Sequence, residues 1–183
     1  MTTYIKQAAK ETDAGQSSAS VRKTVEAVIA DVRLRGDQAV REYSEKFDRW
    51  SPVSFRLSGQ QIQEAIARVP EQTLADIRTA QENVRRFAQL QRDSLKDFEA
   101  EVQPGVFLGQ KNIPVNAVGA YIPGGRYPLL ASAHMTIITA KVAGVKRVAA
   151  ATPAPNGVIP DASIAAIHLA GADEIYLLGG VQA

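Results

Sequence analysis

The spacing of apolar residues changes character near residue 100, and this change limits the possible folds more than any other feature of the chain. Before it, apolar side chains recur every three or four residues, as on one face of a helix. Val21, Val25, Val28, Ile29 and Val32 follow Ser20, a plausible N-cap, and Gly36 stops the run. Asp37 then caps a second helix carrying Ala39, Val40, Tyr43 and Phe47, with Trp50, Ser51 and Pro52 at its exit. A glycine stop followed by an aspartate cap also accounts for Arg35-Gly36-Asp37, so no adhesion role is read into that tripeptide. Ser58 opens a third helix with Ile62, Ala65, Ile66 and Val69 inward. Pro70 begins a fourth, predicted over about 71–98, with the stripe Leu74, Ile77, Ala80, Val84, Phe87 and Ala88.

Beyond the change, short β-prone runs alternate with helical ones. Pro104-Gly105 between two such runs predicts a hairpin over 101–110. Strands are expected at 117–122, 147–151 and 174–178, with helices at 128–143 and 161–170 between them. That alternation implies parallel strands joined by right-handed crossovers. The predicted fold class is therefore α/β: a helical N-terminal region, a hairpin and an incomplete Rossmann-like parallel sheet. Residues 1–118 form the helical part of a first domain, and 119–183 start a nucleotide-binding domain. The run Thr152 to Pro160 is a loop after a strand. After Leu178 the chain reads as a turn entering a helix. A β-α unit lacking its helix leaves one sheet face uncovered, so a fragment of a longer reading frame is expected, with an exposed final strand that invites association.

Charge and composition exclude several classes. Lys and Arg total 21 against 19 Asp and Glu, a net +2 that provides no field for collecting nucleic acid or an anionic membrane. The basic residues Arg85, Arg86 and Arg92 alternate with Asp76, Glu82 and Asp93, as on a solvated helix face. With no cysteine there is no disulfide framework or thiolate metal site, and His134 and His168 do not share a metal-ligand spacing. The polar N-terminus lacks a signal-peptide core, and no run approaches the roughly 20 apolar residues of a membrane span, so a soluble cytoplasmic protein is expected.

Two glycine turns carry the chemistry. Gly119-Ala120-Tyr121-Ile122-Pro123-Gly124-Gly125 follows a strand and precedes a helix, where parallel sheets bind ligands at the carboxyl ends of their strands. Glycines there let backbone amides approach a phosphate at a helix N-terminus. Taken alone, that signal is weak and reads better as an ordinary turn. Gly179-Gly180-Val181-Gln182-Ala183 is a second turn two strands later, so both should reach one edge of the sheet and share a cleft. Tyr121 offers a ring face and hydroxyl, and Gln182 an amide donor and acceptor, unless they are simply a half-buried strand aromatic and a polar residue opening a helix.

Four motifs in this order (residues 32–40, Tyr121-Ile122-Pro123-Gly124-Gly125, residues 140–145 and Gly179-Gly180-Val181-Gln182-Ala183) resemble the histidinol dehydrogenase family over nearly the whole chain. The resemblance implies that Tyr121 and Gln182 contact NAD. It implies an enzyme that oxidises a primary alcohol through an aldehyde to a carboxylate, L-histidinol to L-histidine in histidine biosynthesis, as a homodimer with zinc orienting the substrate alcohol. By the same resemblance the zinc ligands and the Glu-His acid/base pair lie in a C-terminal portion absent here. No catalytic or metal residue is therefore assigned in this chain, and the isolated piece is expected to be inactive.

One departure from the family pattern is Arg126-Tyr127-Pro128-Leu129-Leu130, where family members place small residues and then Pro-Ser. This is similar to a paralogous branch that includes sulfopropanediol dehydrogenases. It makes Arg126 a candidate cation for an anionic substrate or the cofactor pyrophosphate, or else an exposed loop residue. A non-catalytic nucleotide-binding module is the competing reading. His134 and His168 fall among apolar helical residues and are expected to be packed, while Lys141 and Lys146 flank a helix end whose carbonyls suffice for them.

Overall fold

Three parallel strands and the helices crossing between them organise the computed structural model, which describes residues 14–124 and 127–183. The helical first half comprises α1 (Ala14–Arg35), α2 (Asp37–Asp48), α3 (Gly59–Ala67) and α4 (Glu71–Ser94). A hairpin follows, β1 (Phe98–Gln103) and β2 (Val106–Gln110), turning at Gly105 with φ 78°. The sheet strands β3 (Ala117–Tyr121), β4 (Arg147–Thr152) and β5 (Glu174–Leu177) lie in the order β3-β4-β5, all parallel. Between β3 and β4 runs a helical rod made of α5 (Leu130–Ala133), a π turn (His134–Ile138) and α6 (Thr139–Val142); α7 (Asp161–Ala170) connects β4 to β5.

Strand alternation sorts the sheet into two faces. Ala120 and Ile122, Val148, Ala150 and Thr152, and Ile175 and Leu177 are buried on one face. The interposed helices cover that face with Ile137, Ile138, Ile164 and Ile167, all fully buried. Leu57, Ala65, Ile77 and Ala88, from α3, α4 and the segment before them, belong to the same core, which therefore crosses residue 118. α3 is held by a capping box: the Gln61 backbone N–H donates to Ser58 Oγ, and the Ser58 N–H donates to Gln61 Oε1.

Several expectations are corrected. Ser20 lies inside α1 rather than at its start, since the helix already runs from Ala14, and Thr24 Oγ1 donates to the Ser20 carbonyl within it. Asp37 is the first residue of α2, with Gly36 as the cap at φ 58°. α4 stops at Ser94 rather than near Phe98, because Leu95 turns extended and Asp97 Oδ1 accepts from the Asn112 backbone and side chain, tying the hairpin base. Phe87 is 64% exposed, and its expected inward place on the stripe goes instead to Gln81. The Gln81 Nε2 group reaches the Ala166 carbonyl at 2.8 Å and His134 Nδ1 at 3.2 Å. The residues after Leu178 form a turn, as expected. Lys141 contacts Asp173 and the Lys146 carbonyl rather than the carbonyls of its own helix end.

The expectation of an open edge at β5 also fails. Residues 55–57 lie antiparallel to β5: the Leu57 N–H donates to the Ile175 carbonyl at 2.9 Å and the Leu177 N–H to the Phe55 carbonyl at 2.8 Å. A segment between α2 and α3 thus occupies the edge that a neighbouring chain would otherwise pair with.

Candidate functional site

At the carboxyl end of the sheet the three strands end in register. The Ile122 N–H donates to the Ala151 carbonyl, and the Leu178 N–H donates to the Thr152 carbonyl. Both glycine turns therefore leave the sheet beside the exit of its central strand, where Pro153 follows Thr152. A Cβ built on Gly124 would stand 3.1 Å from Pro153 Cγ, and one on Gly179 only 2.5 Å from Pro153 Cβ. The two turns close on one proline, Gly179 at a distance that only glycine permits and Gly124 at one tighter than an ordinary side-chain contact.

Tyr121 and Gln182 complete the join. The Gly180 N–H, at the middle of the second turn, donates to the Tyr121 hydroxyl at 3.2 Å. Tyr121 is 43% exposed, so its ring and the free side of its hydroxyl face outward. Gln182 is 4% exposed, and both its Nε2 and Oε1 lack hydrogen-bond partners among the described residues. Its carboxamide lies against Gly180, whose added Cβ would meet Oε1 at 2.6 Å and whose φ is 70°. An unpaired buried amide costs about 1–3 kcal/mol, so this is an arrangement that pure packing would not retain. Thr152 Oγ1 is a second buried unpaired atom, 3.6 Å from the position a Gly124 Cβ would take.

Beside these turns the open sheet face carries a groove of about 370 Å³, lined by Gly119, Tyr121, Ala149, Ala151, Tyr176 and Leu178. The small residues on β3 and β4 leave the floor flat, and the two tyrosines wall it. A larger cavity of about 1220 Å³ opens at the opposite, amino end of the sheet, near Leu95, Ile113 and Gly144. It does not meet either glycine turn. At that same amino end Glu174 receives Arg147 Nε at 2.7 Å and the Tyr176 hydroxyl, which hold its carboxyl down at about 2. This ion pair is a structural tie between β4 and β5.

The structure thus brings Tyr121 and Gln182 to one edge, as the position of the two turns predicts. Gly125 and Arg126 lie outside the described residues. His134 is buried against Gln81 in the core, and burial pushes its pKa down. Thr152 and Pro153 escaped sequence reasoning, since a Thr-Pro pair after a strand carries no glycine signal. Among the described residues no three acidic or histidine side chains converge as metal ligands, and no helix is long and apolar enough to cross a membrane.

A family model described as histidinol dehydrogenase matches residues 11–183. A histidinol dehydrogenase homolog of Shouchella clausii is 57% identical over 183 residues, covering 100% of this chain and 43% of its own length. A sulfopropanediol 3-dehydrogenase of Ruegeria pomeroyi is 49% identical, covering 98% of this chain and 41% of its own length. A histidinol dehydrogenase of Methanosarcina mazei is 43% identical, with coverage of 92% and 39%. The crystal structure of histidinol dehydrogenase from Elizabethkingia anophelis superposes with a TM-score of 0.82 at 30% identity, over 97% of this chain and 39% of that one. The chain thus spans well under half the length of these relatives.

Proposed function

Because the chain belongs to the histidinol dehydrogenase family, we propose that it supplies the dinucleotide-binding edge of an NAD-dependent dehydrogenase oxidising a primary alcohol, L-histidinol, through the aldehyde to the carboxylate. The observation that carries this reading is the bridge from the Gly180 N–H to the Tyr121 hydroxyl beside the unpaired Gln182 amide. When bound, NAD takes a hydride from the substrate carbon in each oxidation.

The residues present fit a dinucleotide. Gly124 and Gly179 let both turns close on Pro153 and Gly180 lets Gln182 pack against it, which gathers at one edge two buried polar side chains, Gln182 and Thr152, with donors and acceptors to give. Tyr121 presents a ring face for stacking, and Gln182 a carboxamide that pairs with amide or hydroxyl groups. Zinc does not fit the described residues, so its ligands and the acid/base pair are placed by this reading outside the chain. The working enzyme is taken to be a cytoplasmic homodimer, and the 183-residue stretch by itself to lack turnover.

A second substrate reading rests on the 49% identity to a sulfopropanediol 3-dehydrogenase, together with Arg126 where the family has a small residue. Under it the substrate is a small anionic diol, and Arg126 provides the cation. Titrating the protein from its complete reading frame with NAD, then following NADH formation on L-histidinol and on 2,3-dihydroxypropane-1-sulfonate, tests both readings. NAD binding with turnover of either alcohol supports the family reading and selects the substrate. NAD binding without turnover of any primary alcohol leaves a nucleotide-binding module, and no NAD binding removes the reading altogether.

A further inference from the structure

One carboxylate at this edge has no partner. Asp48 is the last residue of α2, and Arg49 after it turns left-handed at φ 54°. The helix end is fixed where it stands, because the Trp50 indole packs on Gly157 in the loop after β4, 2.8 Å from where a Cβ would be. That contact brings the Asp48 carboxylate to the second glycine turn: Oδ2 lies 3.4 Å from the position of a Gly179 Cβ, next to Pro153. The Asp48 side chain makes no hydrogen bond or ion pair among the described residues, and it is partly buried. Burial alone pushes its pKa up. A carboxylate in the last turn of a helix also faces the negative end of the helix dipole, which disfavours it. Local structure gives no reason for an acid here, and such violations gather at functional positions.

The neighbouring groups indicate what the carboxylate is for. Gln182 and Thr152 are unpaired and buried, whereas Asp48 stands at the half-exposed rim of the same cradle. An adenosine ribose lying at this rim would offer Asp48 a vicinal diol. A carboxylate is acceptor-only and can take both hydrogen bonds of a vicinal diol. It repels a phosphate at the same carbon. Acidic residues at the carboxyl ends of parallel strands make this distinction in dinucleotide folds, although there the acid comes from within the sheet domain.

We propose that Asp48, delivered to the site by the N-terminal helical region, accepts hydrogen bonds from the adenosine ribose diol and thereby selects NAD over NADP. This rests on the dinucleotide reading above. The test is calorimetric titration of the protein from its complete reading frame with NAD and with NADP, for the native chain and Asp48→Asn. The native protein should prefer NAD by about tenfold or more, and Asp48→Asn should weaken NAD by about tenfold and bring the two affinities within about threefold, the scale of losing a charge-assisted pair. Asp48→Ser is titrated in parallel, so that if one variant fails to fold the ratio is still read in the other. A native protein that binds NAD, with a NAD-to-NADP ratio unchanged in the variants, overturns the assignment to Asp48 and leaves the dinucleotide reading standing. A native protein that binds neither nucleotide overturns both.

Discussion

Replacing Gln81 with leucine should destabilise the chain even though the new residue is apolar and enters an apolar core. Gln81 lies on α4 at a buried position, where its Nε2 group reaches the Ala166 carbonyl of α7 at 2.8 Å and His134 Nδ1 of the π turn at 3.2 Å. One amide thus ties three helical elements, and as donor to both it requires a neutral His134 with its proton on Nε2. Removing it forfeits two buried hydrogen bonds at about 1 kcal/mol each and strands the imidazole nitrogen at about 1–3 kcal/mol. Burying leucine instead returns about 1.5–3 kcal/mol. The expected balance is a loss of about 1–2 kcal/mol, or a fall in Tm of about 2–8 °C for a chain of this size. Urea denaturation of Gln81→Leu, His134→Leu and the double variant measures it. The double variant removes both polar partners, so it should be more stable than the sum of the single losses by about 0.5–3 kcal/mol. The same geometry sets a pH dependence. Burial lowers the His134 pKa from its ordinary 6.5, so the unfolded chain binds a proton that the native chain refuses. This contribution to stability is present above pH 6.5 and is lost as pH falls through the folded value, and His134→Leu should flatten that slope. A neutral or stabilising Gln81→Leu, additive energies, or an imidazole protonated on Nδ1 at neutral pH would refute the reasoning.

Two further variants address the cradle. Gly180→Ala places a methyl 2.6 Å from Gln182 Oε1 at a φ of 70°, and should weaken NAD binding by calorimetry at a backbone cost of about 1–2 kcal/mol. Gly59→Ala, with nothing within 4 Å of the new methyl, should leave NAD binding unchanged. Tyr121→Phe removes the acceptor for the Gly180 N–H, and should raise the KM for NAD several-fold while changing stability by less than about 1 kcal/mol, since the ring is half-exposed.

How much of this was legible in the sequence depends on the range of the interaction behind each element. The helices and strands of the second half follow from local periodicity, and α7 spans Asp161–Ala170, matching its predicted range of 161–170. Ser58 was legible as a cap because its partner Gln61 is three residues away. The burial of Gln81 was not, because hydropathy ranks glutamine outside, and its partners, Ala166 and His134, arrive only when α4, α7 and the π turn pack. The strand-like segment at 55–57 was equally hidden. It is too short to show alternation, and β5 holds it from the far end of the chain. Phe87 falls on the apolar stripe of α4 by spacing, yet the packing buries Ala88 beside it and Gln81 while leaving Phe87 exposed.

The site divides in the same way. The two glycine turns are local signals, and parallel topology alone sends both to the carboxyl edge. The chemistry between them comes from residues without a motif. Pro153 is the surface on which Gly124 and Gly179 both close, and Thr152 contributes a hydroxyl left unpaired. Asp48 reaches the turn only because Trp50 anchors α2 to Gly157. An edge selected for stability alone would pair or remove the buried polar atoms, since each unpaired group costs free energy. Here the unpaired Gln182 amide and Thr152 hydroxyl lie beside glycines that let Pro153 and Gln182 pack closely, across segments separate in sequence. A ligand that supplies hydrogen bonds to Gln182 and Thr152 accounts for their retention where the glycine turns meet.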